Sequence, residues 1–329
     1  MLTKLLDMSM PKEYYKFTNE DSEKELKWFF DHILEAPQAN ESYLMCISSR
    51  AKKVSKEERE RIQLGRGEMM RENIITSRGK ERLWNFEQFL SYIYRYECPV
   101  QGMVTKTGDP YPQNSLVLYI YVNPSDEHKV LADSMKTSFD IIADLINSAT
   151  NSSSDGIKEQ LFKLRTIDKH KKTCRAVNVS RHLWTQFDFD FSDTVKLNAD
   201  LQNDVYNQLV VVGRALFGKG NVVVIRTSGG FHILVHREGM KHWNAEIRPK
   251  KQWNDIYKFK DPISDFIGIV NWELNNISTK GFTQVPTFKW FDEWTKTGQS
   301  FLPCPGTLQY GQFFVNIVNK GDFDEEQIQ

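Results

Sequence analysis

The stretch that most constrains this 329-residue chain is Leu183-Trp-Thr-Gln-Phe-Asp-Phe-Asp-Phe191. It alternates with a period of two, the repeat of a strand with one buried face. On such a strand Leu183, Thr185, Phe187, Phe189 and Phe191 share one side, and Gln186, Asp188 and Asp190 share the other. Two carboxylates then stand side by side on a strand whose back is anchored in a core. Each resists ionising beside the other. A hard divalent cation, Mg²⁺ or Mn²⁺, relieves the repulsion through oxygen ligation. Taken alone, the segment also fits an amphipathic strand with a solvated acidic face.

The rest of the composition is ordinary for a globular chain of one large domain or two intimate ones: 40% hydrophobic and 26% charged. No apolar run reaches the ~18 residues of a membrane span. The start, Met1-Leu-Thr-Lys-Leu-Leu-Asp7, lacks the apolar core of a signal peptide. Cys46, Cys98, Cys174 and Cys304 are widely scattered and read as reduced thiols, which fits a cytoplasmic setting. A formal net charge of zero excludes coating nucleic acid by bulk charge, but not a local basic groove.

In chain order, a helix is expected over Asp21–Ala36, with Leu26, Phe29, Phe30 and Ile33 on one face and Pro37 as its stop. Tyr43–Ile47 reads as a buried strand. Residues 50–82 are strongly charged. A solvated helix over 55–62 is expected there, with Arg66, Arg71, Arg78 or Arg82 as candidate phosphate contacts. Asn85 caps a helix carrying Phe86, Phe89, Leu90 and Ile93. Leu116–Val122 is a strand stopped by Asn123-Pro124, and a helix with a possible break follows through Leu131, Ile141, Ile142 and Leu145. The Ser/Asn-rich run 147–156 marks a boundary. It divides an N-terminal α/β half, 1–156, from a second half, 157–329, the two forming one compact domain.

The second half opens with basic residues over 157–182. After the acidic strand, Asn198 caps a helix with Leu201, Val205, Leu209, Val212 and Leu216 on one stripe, closed by Gly218. Asn221–Ser228 is a strand, Gly229-Gly230 a turn, and Phe231–His236 the hairpin partner, with His232 facing away from Phe231, Ile233 and Val235. A helix over 253–274, interrupted near Pro262, and strands at 287–291 and 307–315 complete the chain. The order β-α-β-β-α-β makes the fold α+β: an RRM-like split βαβ half with helices on one face of an antiparallel sheet. Its open face then bears Asp188, Asp190 and His232 together.

Three segments in this order resemble the archaeo-eukaryotic primase superfamily, the primase-polymerases. Phe187-Asp-Phe-Asp-Phe191 resembles the paired-aspartate strand of that family. Ser228-Gly-Gly-Phe-His232 resembles its second motif. Phe291-Asp292, followed by Phe301-Leu-Pro-Cys-Pro-Gly-Thr-Leu308, resembles its third. The resemblance implies a DNA primase or primase-polymerase, a template-dependent nucleotidyltransferase that joins nucleoside triphosphates into a primer on single-stranded DNA. It implies two Mg²⁺ or Mn²⁺ ions on Asp188, Asp190 and Asp292, with Asp265, Glu273 and Glu293 as competitors for the third place. It implies nucleotide contacts from Ser228, Gly229, Gly230 and His232. Many relatives carry a basic residue where Pro303 and Cys304 stand here, and often a His where Gln309 stands. Arg226, Lys280, Lys289 or Lys296 are the candidates to compensate.

Many relatives also bind zinc. His170, Cys174 and His182 lie close in sequence, but without a Cys-x-x-Cys pair they do not make a four-ligand site, and zinc is not expected. The chain carries no Gly-x-x-x-x-Gly-Lys-[Ser/Thr] motif, so unwinding falls to a separate helicase. NTPs and dNTPs are equally admissible substrates, and no membrane is involved. By analogy, a compact primase of this kind suits a phage or mobile element. Two other readings are an RRM-like nucleic-acid binder without catalysis, and an Asp-x-Asp metal enzyme such as a nuclease or a glycosyltransferase.

Overall fold

The structure, a computed structural model, describes residues 15–64, 67–76, 84–97, 105, 107–150, 155–158, 177–247, 262–279, 291–297 and 301–320. Arg66, Arg78 and Arg82, the basic residues of 159–176 with His170 and Cys174, Cys98, Lys280 and Lys289, the helix start at 253–261 and residues 321–329 lie outside these. The first half runs α1 (Ser22–His32), β1 (Glu41–Arg50), α2 (Lys56–Arg61), β2 (Gly67–Thr76), α3 (Phe86–Glu97), β3 (Leu116–Ile120), β4 (Ser125–Asp126) and α4 (Glu127–Thr150). The second runs β5 (Trp184–Phe191), α5 (Asp193–Lys196), α6 (Ala199–Phe217), β6 (Val222–Arg226), β7 (Gly230–His236), α7 (Arg237–His242), α8 (Pro262–Thr279), β8 (Phe291–Thr297), β9 (Leu302–Pro303), β10 (Leu308–Gln309), β11 (Phe313–Phe314) and β12 (Asn316–Asn319). The fold is mixed α+β with antiparallel sheets.

The first sheet has the path β2-β1-β3-β9, with β4 also on β1. Its central strand β1 is buried along nearly its whole length, as its apolar run requires. β2 occupies part of the strongly charged stretch 50–82. Pairing with β1 over Ser42–Arg50 makes it a strand despite its Arg and Glu content. The last strand, β9, comes from the second half, so the chain crosses back over the 156/157 boundary to complete this sheet.

The second sheet has the order β12-β6-β7-β5-β8. One face packs Phe187, Phe189, Phe191, Val224, Phe231 and Ile233 against Leu209, Val212 and Leu216 of α6 and Phe266 and Val270 of α8. α6 starts where expected: the Asn198 side chain accepts from the N–H groups of Asp200 and Leu201, at 2.9 and 3.2 Å. The opposite face is not open along its whole length. Val223, Ile225 and Leu234 join a core with Phe29, Tyr43, Met45 and Leu118 of the first half. On that face of β5 Gln186 is buried, while Asp188 and Asp190 stay partly exposed.

α4 is continuous through Thr150, and only Val130 and Ser134 of it are buried. The apolar stripe through Leu131 lies at the surface, Leu131 at 58% and Phe139 at 63% exposure. No described helix is long and apolar enough to cross a membrane.

Candidate active site

The site begins with the pleat of β5. The three phenylalanines on its back are each 1% exposed, and Phe187 and Phe189 meet the Phe266 ring at centroid distances of 5.7 and 6.2 Å. That anchoring fixes the rotation of the strand, and Gln186, Asp188 and Asp190 consequently share the other face. β7 lies beside it in a register that sets His232 opposite Asp188 and Gly230 opposite Asp190.

His232 is the hinge of a short chain of polar contacts. Its Nε2 lies 3.3 Å from Asp188 Oδ1, and its Nδ1 lies 2.9 Å from Gln186 Nε2. An amide nitrogen only donates, so in this arrangement Nδ1 is the acceptor and the Nε2–H points its proton at Asp188. Gln186 and His232 are 2% and 6% exposed, while Asp188 and Asp190 stand half-buried at the cavity.

The Ser228-Gly229-Gly230 turn joins β6 to β7 and closes the end of the site. The backbone accounts for both glycines. A Cβ on Gly230 would lie 1.8 Å from the Phe189 carbonyl oxygen, and one on Gly229 would lie 2.5 Å from Asp190 Oδ1. The Phe191 N–H donates to the Gly229 carbonyl at 2.9 Å, which ties the turn to β5. The Ser228 N–H donates to Gln309 Oε1 at 2.9 Å. Gln309, the residue standing where a His was expected, thus braces the turn.

These groups line one cavity of about 480 Å³, together with Arg50, Arg59, Tyr119, Phe301, Pro303 and Tyr310. Its volume lies within the range of small-molecule sites. One wall, from β5 and β7, is acidic. The other, from β1, α2 and β3, carries two guanidiniums and a tyrosine. Arg50 Nε donates to the Tyr119 hydroxyl at 3.2 Å, and its guanidinium lies 5.5 Å from the centre of that ring. Tyr119, and behind it Tyr310 and Asp188, hold the Arg50 pKa above its ordinary value. Tyr310 sits at φ 59°, in the left-handed region, and is followed by Gly311 at φ 70° in the β10–β11 turn. Its N–H donates to the Leu116 carbonyl at 2.8 Å, and its ring packs with Cys46, Val117 and Tyr119. A tyrosine in that conformation is costly, and such strain clusters at functional sites.

The structure thus gathers Asp188, Asp190, Ser228, Gly229 and His232 around one cavity, with Gly230 beside them on β7. Arg226 is elsewhere. It pairs with Phe231 in register, which places it on the helix side of the sheet, between the rings of Phe191 (4.9 Å), Phe231 (5.0 Å) and Phe313 (6.0 Å). Its Nη2 donates to Gln202 Oε1 at 2.6 Å, and burial lowers its pKa. Arg226 therefore does not line the cavity, and its buried Nη1 has no hydrogen-bond partner among the described residues.

Asp292 lies on β8 at an irregularity in the pairing with β5, where Asp190 pairs with Glu293 and Phe191 with Phe291. The side chains of β8 lie outside the described residues. Asp265 is buried on the helix side, accepting from Trp243 Nε1 at 3.1 Å. Among the described residues no group of three His, Cys, Asp or Glu side chains is placed to hold a metal ion.

Arg50, Arg59, Tyr119 and Tyr310 are the cavity residues the sequence reading missed. They carry no motif of their own: Arg50, Arg59 and Tyr119 come from β1, α2 and β3, and Tyr310 from the β10–β11 turn bonded to Leu116. No protein-family model, curated protein or solved structure matches this chain.

Proposed function

We propose that this chain is a template-dependent nucleotidyltransferase of the primase-polymerase kind, building a primer on single-stranded DNA from NTPs or dNTPs. The observation that carries the proposal is convergence. Asp188 and Asp190, then Ser228, Gly229 and His232, then Pro303 and Gln309 come from three distant parts of the sequence and line the same cavity. The element order β5-α6-β6-β7-α8-β8, with β5 paired to both β7 and β8, supports reading this half as a split βαβ unit.

The donor set fits Mg²⁺ or Mn²⁺. Two carboxylates on one strand face, both reaching the cavity, are what such an ion takes from a protein when substrate phosphates and water supply the remaining oxygens. Asp292 or Glu293 of β8 is the candidate for a third carboxylate. Ions held by Asp188 and Asp190 would supply the positive charge that lowers the pKa of the attacking hydroxyl and neutralises the triphosphate. In the transfer the hydroxyl gives its proton to water, its oxygen bonds the α-phosphorus, the bond from that phosphorus to the bridging oxygen breaks, and pyrophosphate leaves. His232 keeps Asp188 oriented through its Nε2–H. The absence of a side chain on Gly229 leaves room for the Asp190 carboxylate to lie against the turn.

The test is incorporation of labelled nucleotides on single-stranded DNA with Mg²⁺ or Mn²⁺. Asp188→Asn and Asp190→Asn are each expected to lower the rate by at least about a hundredfold, since even a ligand's supporting residues are worth up to about that much. Equal incorporation by wild type and both variants would falsify the assignment. Shortened strands would point to a nuclease, and metal-independent binding without turnover to an RRM-like binder.

A further inference from the structure

We infer that Arg50 and Arg59 form a cationic wall that grips the polyphosphate of the incoming nucleotide from the first half of the chain. The inference rests on the nucleotidyltransferase reading for the identity of the ligand, but its physical basis is separate. Among the described residues lining the cavity, the acids Asp188 and Asp190 come from β5 and the arginines Arg50 and Arg59 from β1 and α2, and the Asp188 charge acts on Arg50. The described residues hold no ion pair across the gap, although guanidinium and carboxylate are the groups most apt to form one. An occupant that satisfies both walls must carry a cation toward the acids and an anion toward the arginines. A metal-complexed polyphosphate is such a molecule.

The local geometry agrees. Tyr119 engages Nε of Arg50, which leaves the two terminal nitrogens of a planar fork for a ligand, the arrangement that suits two oxygens of one phosphate. Arg59 Nε is buried without a hydrogen-bond partner among the described residues, a state that an anion at the cavity wall would relieve. The opposite end offers no substitute cation. Pro303 has none, the thiol of Cys304 is fully buried with its pKa pushed up by that burial, and Gln309 is engaged by the Ser228 N–H. The positive charge absent from the Pro303–Cys304 segment is thus supplied from across the cavity, by strand β1 and helix α2.

The probe is inorganic tripolyphosphate, titrated calorimetrically into the full chain in EDTA, so that no metal contributes. Wild type is expected to bind it. Arg50→Ala and Arg59→Ala are each expected to weaken binding at least tenfold, with Arg50→Lys retaining part of the affinity. Asp188→Asn is expected to tighten it, because it removes repulsion from the facing wall. Circular dichroism melts confirm that the variants fold. In steady-state incorporation, Arg50→Ala should raise the KM for nucleotide more than it lowers kcat. The idea is overturned if folded arginine variants bind tripolyphosphate as wild type does, if wild type binds none, or if Asp188→Asn leaves the affinity unchanged. Arginine-dependent binding without any incorporation would leave the cationic wall standing and sink the polymerase reading instead.

Discussion

The two glycines of the β6–β7 turn differ in what a methyl group would strike. On Gly230 the obstacle is the backbone carbonyl of Phe189, at 1.8 Å, and β5 and β7 cannot both keep their register. Gly230→Ala is expected to destabilise the chain by more than about 3 kcal/mol, among the larger single-residue effects. On Gly229 the obstacle is the far end of the Asp190 side chain, at 2.5 Å, which can swing away. Gly229→Ala should therefore keep its melting temperature to within a few degrees and weaken Mn²⁺ binding about tenfold, as loss of a ligand's support does. Thermal melts and Mn²⁺ titration followed by electron paramagnetic resonance separate the two variants. A Gly229→Ala protein that binds Mn²⁺ normally would show that Asp190 holds no metal. The alternation of 183–191 and the Ser-Gly-Gly turn made the acids, His232 and the glycines legible from sequence. The same parity places Arg226: opposite Phe231 in the hairpin, it shares the helix-facing side of the sheet.

At the scale of elements, β5 is positioned as much by one asparagine as by its own pattern. Asn123, 1% exposed just past β3, accepts from the N–H groups of Leu183 and Trp184 at 2.8 and 2.9 Å and donates to the Trp184 carbonyl at 2.8 Å. It thereby pins the first residues of β5 to the first sheet. Asn123→Ala leaves these buried backbone groups without those partners, each worth about 1–3 kcal/mol. A loss of at least about 3 kcal/mol is expected, read as a lower urea midpoint at unchanged slope. A shift under about 1 kcal/mol would mean that water or a backbone shift replaces the bonds. From sequence, Asn123 looked only like the residue that stops a strand, because its partners lie 60 residues away. β2 and β9 were hidden for a related reason. β2 is charged and becomes a strand through its pairing with β1, and β9 is two residues long, too short for any periodicity. β5, α6 and the β6–β7 hairpin were legible because each carries its own pattern and its own cap or turn.

At the scale of the whole molecule, the cavity exists because two sheets meet, and the contact between them includes a buried charge. Arg181, just before β5, donates from Nε and Nη2 to the two oxygens of Glu41 on β1, both at 2.8 Å, and from Nη1 to Glu35 beyond α1. The Glu41 side chain is fully buried. Burial by itself pushes its pKa up. The hydrogen bond from Arg181, with those from the Gln38 N–H and Ser180 and the attraction of the guanidinium, outweighs burial and holds the pKa below the ordinary 4.5. Wild-type Glu41 thus contributes stability at pH values above 4.5, and that contribution is lost as the pH falls through the lower folded value. Arg181→Leu reverses the sign. A buried carboxylate without its counter-charge is expected to cost about 3–5 kcal/mol near neutral pH, and its pKa then rises above 4.5 under burial. Protonation removes the buried charge, so the stability gap between variant and wild type should narrow on acidification from pH 7 toward pH 4. Urea unfolding of both proteins at a series of pH values measures that gap. If it stays constant across the range, Glu41 is not the group that Arg181 compensates, and the joint between the halves rests on its apolar core alone.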